Sequence, residues 1–251
     1  MKKTLMASLV LAALAGHSAA YAQTNVGVYG LIDMTLRTVN NTSASGGRLT
    51  GFQTPWFSGS RIGFRGTEDL GGGTRAIFKL ESEYVLGTGA MDTPGVIFNR
   101  DAWVGFDDKD LGRLTLGRQN TLARDWAQAY GDAYGSEKLG LEEGGFTNTN
   151  NFKQLIFYAG SVTSTRFDNG IVYKKAFDNG IVAGLGYQLG EVVGDFSKNT
   201  TKSAALGYNG SNYLVAGYYN QVNVNSLIHR SYSVGGSYIF PLVRLNAGYF
   251  H

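Results

Sequence analysis

The chain has 251 residues, 22 of them basic and 19 acidic, with a formal charge of +3 and no cysteine. That balance gives no support to nucleic-acid binding, and the absence of Cys removes disulfides and thiol chemistry. Charged residues make up 16% and mean hydropathy is −0.13, too polar for a helical membrane protein and too sparsely charged for an ordinary soluble domain. Gly numbers 36, Tyr 15 and Phe 14; strands that face lipid on one side and water on the other average to such a composition.

The first segment reads as a leader. Met1-Lys2-Lys3 is basic, residues 4–16 form a short apolar core, and Ala20-Tyr21-Ala22 is an A-x-A site before Gln23. These features define a secretory signal peptide over 1–22, cleaved between Ala22 and Gln23 and too short to span a membrane. Losing Lys2 and Lys3 leaves 20 basic against 19 acidic residues. After Gln23 no apolar run approaches the roughly 18 residues of a helical span, so the exported chain is expected to be all-β.

Residues 24–39 set Val26, Val28, Gly30, Ile32, Met34 and Leu36 against Asn25, Tyr29, Asp33 and Arg37, the two-residue alternation of a strand. Residues 40–57 read as a loop. Residues 59–84 then give two extended runs. Ile62, Phe64 and Gly66 alternate with Arg61, Gly63 and Arg65, and Ala76, Phe78 and Leu80 alternate with Arg75, Ile77, Lys79 and Glu81. Gly71, Gly72 and Gly73 between them suit a tight hairpin.

A loop at 85–99 leads to strands at 100–106 and 113–119. Residues 120–165 carry weak periodicity, and a connection of that length is usually functional. An apolar patch at 155–158 within it is left open as a further strand. The hexapeptide FDNGIV occurs at 167–172 and again at 177–182. Turns at both copies would leave a strand too short to cross a bilayer, so only the second is assigned a turn, joining strands 166–174 and 180–190. Strands at 202–208, 212–221, 230–240 and 242–250 follow, with a loop at 222–227. Eleven strands result, and their connections alternate long and short. Transmembrane barrels keep long loops at one rim and short turns at the other, whereas a soluble sandwich has no cause to do so.

The segments NVGVYGLIDMTL, SGSRIGFRGTEDLGGGTRAIFKLES, DAWVGFDDKDLGRLTLGRQ and DNGIVYKKAFDNGIVAGLGYQLGE resemble the general diffusion porins of Gram-negative bacteria, above all the beta-proteobacterial branch. The similarity runs along nearly all of the mature chain, and GSR-x-G-x-RGTEDLGGG-x-x-A-x-F is its most specific part. The resemblance implies an antiparallel up-and-down transmembrane β-barrel in the outer membrane, sixteen-stranded and usually a homotrimer, touching lipid and lipopolysaccharide. It implies passive passage of small hydrophilic solutes and ions, with no cofactor, and a third external loop folded inward; by order along the chain, 120–165 is that loop. One feature departs from the family: eleven is odd, bacterial single-chain barrels have even strand numbers, and an unclosed edge in lipid is costly. Residues 23–251 are therefore read as a partial barrel, with a short natural barrel as the alternative.

Lumenal charges set selective passage through a pore. Alternation puts Arg37, Arg61, Arg65, Arg75 and Lys79 on the polar face, and a ladder of bases opposite loop acids would set up a transverse field. Asp125, Asp132 and Glu137 are the candidate acids, with Arg124 beside them. Similar porins use the arginine of GRQ in the channel. Arg118 shares the parity of Leu114 and Leu116, so such a role requires a bulge near Gly117. The same bases could instead lie at the rims, binding water or lipopolysaccharide phosphates.

Glu81 and Glu83 are expected to pair with Arg75 and Lys79. No nucleophile motif or second well-placed His supports catalysis. The basic wall predicts a mild anion preference. A substrate-specific channel and an outer-membrane enzyme or adhesin with a plugged lumen stand as alternatives.

Overall fold

The computed structural model describes residues 25–53, 57–132, 135–142, 160–163 and 165–251. The leader with its Ala22–Gln23 junction and the patch at 155–158 lie outside the described residues. The elements in order are β1 (Asn25–Leu31), β2 (Thr35–Val39), β3 (Leu49–Gln53), β4 (Arg61–Gly71), β5 (Thr74–Val85), β6 (Ala90–Met91), β7 (Asp101–Asp108), β8 (Gly112–Asn120), α1 (Leu122–Gly131), β9 (Arg166–Ala176), β10 (Ile181–Gln188), β11 (Thr201–Asn209), β12 (Tyr213–Val224), β13 (Leu227–Ile239) and β14 (Arg244–Phe250). One antiparallel sheet runs β1–β4–β5–β7–β8–β9–β10–β11–β12–β13–β14, with β6 on β5 and β2–β3 a separate hairpin. Among the described residues β1 and β14 do not pair with each other. The main path holds the eleven strands that alternation marks out.

The sheet inverts the soluble pattern. Val28, Val104, Leu185, Leu206, Val215 and Val234 are each more than half exposed on the outer face, while Glu81 and Asp101 on the inner face are 2% and 0% exposed. Outer-face aromatics gather in two rows. Near the short turns, Tyr208 packs on Tyr213 at 5.9 Å and Tyr238 on Phe240 at 4.5 Å. Tyr219, paired with Tyr232, lies toward the other rim, and Tyr232 contacts Tyr249 at 6.3 Å. Tyr213 and Tyr219 on β12 are about 20 Å apart along the strand. Such an aliphatic band between aromatic girdles is how a barrel wall meets a bilayer.

Three local expectations are corrected. The strand expected over 24–39 breaks after Leu31, because the Asp33 carboxylate accepts from the Ser58 amide at 2.7 Å and Ser60 Oγ accepts from the Asp33 amide at 3.0 Å. The chain thereby peels away into β2, which pairs with β3 inside the expected loop 40–57. At 222–227 the ladder continues instead of opening into a loop, and Asn225 and Ser226 turn with positive φ of 49° and 72°, as a two-residue hairpin requires. Only the second FDNGIV turns, through Gly180 N–H to Phe177 O at 3.0 Å; the first lies within β9.

The third correction concerns 120–165, which contains the helix α1. Thr121 caps it by accepting from the Arg124 amide at 3.2 Å, and Asp125 sits in its first turn, where carboxylates favour the helix dipole. Leu122, Ala123, Trp126, Ala127 and Tyr130 are buried with Val182, Leu214, Ala216 and Tyr218 from the inner sheet face. Close approach is possible because the sheet lacks side chains there: a Cβ at Gly235 would collide with the Tyr130 ring, and one at Gly184 would meet Leu122 Cδ2 at 2.9 Å. Tyr130 donates to Ser233 Oγ at 2.9 Å, and burial pushes its phenol up to about 12.

Candidate functional site

The inner faces of β1, β4, β5, β7, β8 and β9 surround a cavity of about 640 Å3. Pairing explains its chemistry. Arg61 lies opposite Glu83 and Arg65 opposite Lys79, and Arg75 lies opposite Asp107. Directly paired residues share a face, so alternation on β4 and β5 aims all of these inward.

Buried charge here is paired, as its desolvation demands. Lys79 Nζ stands 2.8 Å from Asp101 Oδ2 and 3.7 Å from Glu81 Oε2. Arg61 Nη1 is 3.6 Å from Glu81, which also accepts from Arg100 and from the Tyr29 hydroxyl at 2.8 Å. Arg75 binds Asp107, which Arg113 also meets at 3.1 Å. Arg65 differs: it lies 5.4 Å from the Tyr29 ring centroid, and its side chain is exposed.

The inward connection reaches this wall at two points. Asp125 on α1 pairs with Lys174 on β9 and accepts from Asn120 Nδ2 at 3.0 Å. Glu142 meets Arg113 Nη2 at 2.7 Å. The other end of α1 is held by Arg244, whose guanidinium donates to the carbonyls of Ala129, Gly135 and Ser136 at 2.6, 2.9 and 3.0 Å.

Of the residues expected from sequence, Arg61, Arg65, Arg75, Lys79 and Asp125 line the one cavity. The others do not. Arg37 lies on the β2–β3 hairpin, exposed and bonded to Gln53, because the chain has left the sheet after Leu31. Arg118 pairs with Ala102 and keeps the outward parity of Leu116. The register shift beside Gly117 puts the extra residue in β9 and leaves Arg118 facing out, bonded to Asp168 and to Asn99 O at 2.8 Å.

Arg124 donates to Thr165 Oγ1 at 3.0 Å. Asp132 ends α1 and Glu137 is exposed beyond it, both near Arg244 and away from the base ladder. Glu83 pairs with Arg100, not Arg75 or Lys79. Alternation on β8 and β9 could have exposed Arg113 and Lys174, since they share the inward parity of Thr115 and Val172. Arg100 and Glu142 carry no such signal.

Six bases (Arg61, Arg65, Arg75, Lys79, Arg113, Lys174) and four acids (Glu81, Asp107, Asp125, Glu142) line the cavity. The loop acids are in direct contact with Lys174 and Arg113, so the field they contribute is short-ranged and Arg65 is left facing the cavity. An antiparallel wall with an apolar girdled exterior and a charged interior crossed by a helical loop defines an outer-membrane β-barrel protein. The chain belongs to the Gram-negative porin family, whose model matches residues 7–251.

An outer membrane porin protein of Bordetella pertussis is 31% identical, the match covering 99% of this chain and 69% of that protein. Outer membrane porin protein 32 of Delftia acidovorans is 42% identical over 47% of this chain and 32% of its own length. Among solved structures, the anion-selective porin from Comamonas acidovorans superposes with a TM-score of 0.69 at 25% identity, covering 88% of this chain and 66% of that one. The chain thus spans about a third to just over two thirds of the relatives' length.

Proposed function

We propose that the protein forms a passive outer-membrane pore for small hydrophilic solutes and ions, with a mild preference for anions. The observation that carries this reading is the basic excess on the aqueous face of a wall whose other face is apolar. The similarity to a porin described as anion-selective supports it. Arg61, Arg65, Arg75, Lys79, Arg113 and Lys174 form the basic lining, with α1 and Glu142 narrowing the passage. The family supports assembly as a homotrimer, and the cost of an open edge in hydrocarbon supports completion of the wall by further strands at the outer edges of β1 and β14, which pair with no other strand among the described residues.

Two measurements test this. Protein extracted from outer membranes and inserted in a planar bilayer gives an ohmic conductance that added solutes do not saturate; absence of conductance refutes the pore. The intact mass of the same material exceeds that of 23–251; a mass equal to it refutes the completed wall.

A further inference from the structure

The inner face of the sheet carries one base and one aromatic side chain that the ion pairs of the lining leave unused. The pairing registers put Gly27 opposite Arg65, Arg65 opposite Lys79, Lys79 opposite Trp103, and Trp103 opposite Gly117. Directly paired residues share a face, so these residues form one row across the lumenal wall. Arg65 and Trp103 both line the cavity of about 640 Å3. Lys79 between them is already matched by Asp101 at 2.8 Å and Glu81 at 3.7 Å.

Arg65 is exposed, and among the described residues it makes no hydrogen bond or ion pair. Its guanidinium carbon stands 5.4 Å from the centre of the Tyr29 ring. That ring is fixed: its hydroxyl donates to Glu81 Oε2 at 2.8 Å, and a Cβ at Gly63 would come within 2.4 Å of its Cζ. A planar cation resting on a fixed ring loses little freedom when it binds. Its fork of N–H donors matches the two oxygens of a carboxylate. Beside it Gly27 leaves open space, since a Cβ there would meet nothing within 4 Å. Trp103 lies two strand spacings away, about 10 Å along the row. It is partly exposed, and among the described residues it makes no ring contact or hydrogen bond.

We propose that Arg65 and Trp103 form a transit site for aromatic monocarboxylates, in which a short methylene link joins a flat ring to one carboxylate. The carboxylate oxygens accept from the Arg65 guanidinium, and the ring stacks on the Trp103 indole past the neutralised Lys79. One unneutralised base beside paired acids suits a single negative charge better than two. The inference rests on the reading of this lumen as a pore and names a solute class that its lining favours. Binding is weak enough to release the solute for passage, and one ring on one side of the cavity leaves the remainder open to ions.

The test uses the outer-membrane protein in lipid nanodiscs, titrated with 3-(4-fluorophenyl)propionate and read by fluorine NMR against empty nanodiscs. Propionate and 3-(4-fluorophenyl)propan-1-ol serve as competitors that carry the charge or the ring alone. In the parent the aryl acid binds at least tenfold more tightly than either. Arg65→Gln weakens the aryl acid at least tenfold. Trp103→Leu weakens it about fivefold and leaves propionate unchanged, and Trp103→Phe restores most of the loss, which separates loss of the ring from loss of the fold. Propionate or the alcohol binding as tightly as the aryl acid in the parent overturns the proposal, as does parental affinity in Trp103→Leu. Absence of conductance in the parent overturns the pore reading and the transit role with it; a conducting parent that fails the titration overturns this proposal alone.

Discussion

Replacing Arg244 by Ala isolates what holds the inward helix. Its guanidinium makes three contacts of 2.6–3.0 Å to carbonyls at and beyond the C-terminus of α1, where free acceptors and the negative dipole end coincide. Hydrogen bonds to charged groups contribute about 1.5–3 kcal/mol each, but lumenal water can replace the donors. A net loss of about 2 kcal/mol, or roughly thirtyfold in the docking equilibrium, is the outcome. Leu122, Trp126 and Tyr130 remain buried and contribute about 1.5–3 kcal/mol apiece, so the helix stays docked on average. The variant therefore keeps its mean conductance while amide exchange across 122–131 accelerates about thirtyfold and open-channel noise rises. Exchange within threefold of the parent would show that Arg244 does not anchor the helix.

Further expectations follow from the same packing. Gly235→Leu drives a side chain into Tyr130 and costs about 1–3 kcal/mol, read as a lower urea midpoint; an unchanged midpoint would mean the helix does not press on β13. Asp125→Asn leaves Lys174 buried without its counter-charge, a loss of about 3–5 kcal/mol. Asp125→Asn/Lys174→Met recovers most of it, and failure to recover would deny the pairing its role. The phenol of Tyr130 is raised from 10 to about 12 by burial. An acid held neutral in the docked state favours docking below its free value, and that preference is lost as pH rises from 10 through 12. Exchange across α1 should therefore climb in that window, and Tyr130→Phe should flatten the climb.

Much of the wall was legible because lipid and water impose a strict two-residue period. Ile62, Phe64, Arg61 and Arg65 declare their faces without any knowledge of their partners. The same rule misplaced Arg37, since alternation continues past Leu31 while the backbone leaves the sheet at Asp33 through contacts with Ser58 and Ser60 that are distant in sequence. It also passed over α1, whose buried set at 122, 123, 126, 127 and 130 has a helical period that a search for strands dilutes. Arg118 shows the opposite lesson. Its parity already placed it outside, and the neighbouring bulge falls in β9, where it cannot turn a β8 side chain. Arg100 was missed because the strand expected over 100–106 gives it the outward parity of Val104 and Phe106, whereas β7 begins only at Asp101 and Arg100 reaches Glu81 and Glu83 on the neighbouring strand.

On the proposed reading, the basic excess of the lining draws anions through the pore. Each unpaired lumenal charge contributes about 0.6 kcal/mol to an ion about 7 Å away in water, reduced to about 0.25 by physiological salt. Arg65, the base of the lining that makes no ion pair among the described residues, favours anions over cations by about two to one. The direct test is the zero-current potential of the outer-membrane protein in a planar bilayer across a tenfold potassium chloride gradient. The expected result is a potential of anion-selective sign at a permeability ratio near that value. A potential of cation-selective sign would contradict it.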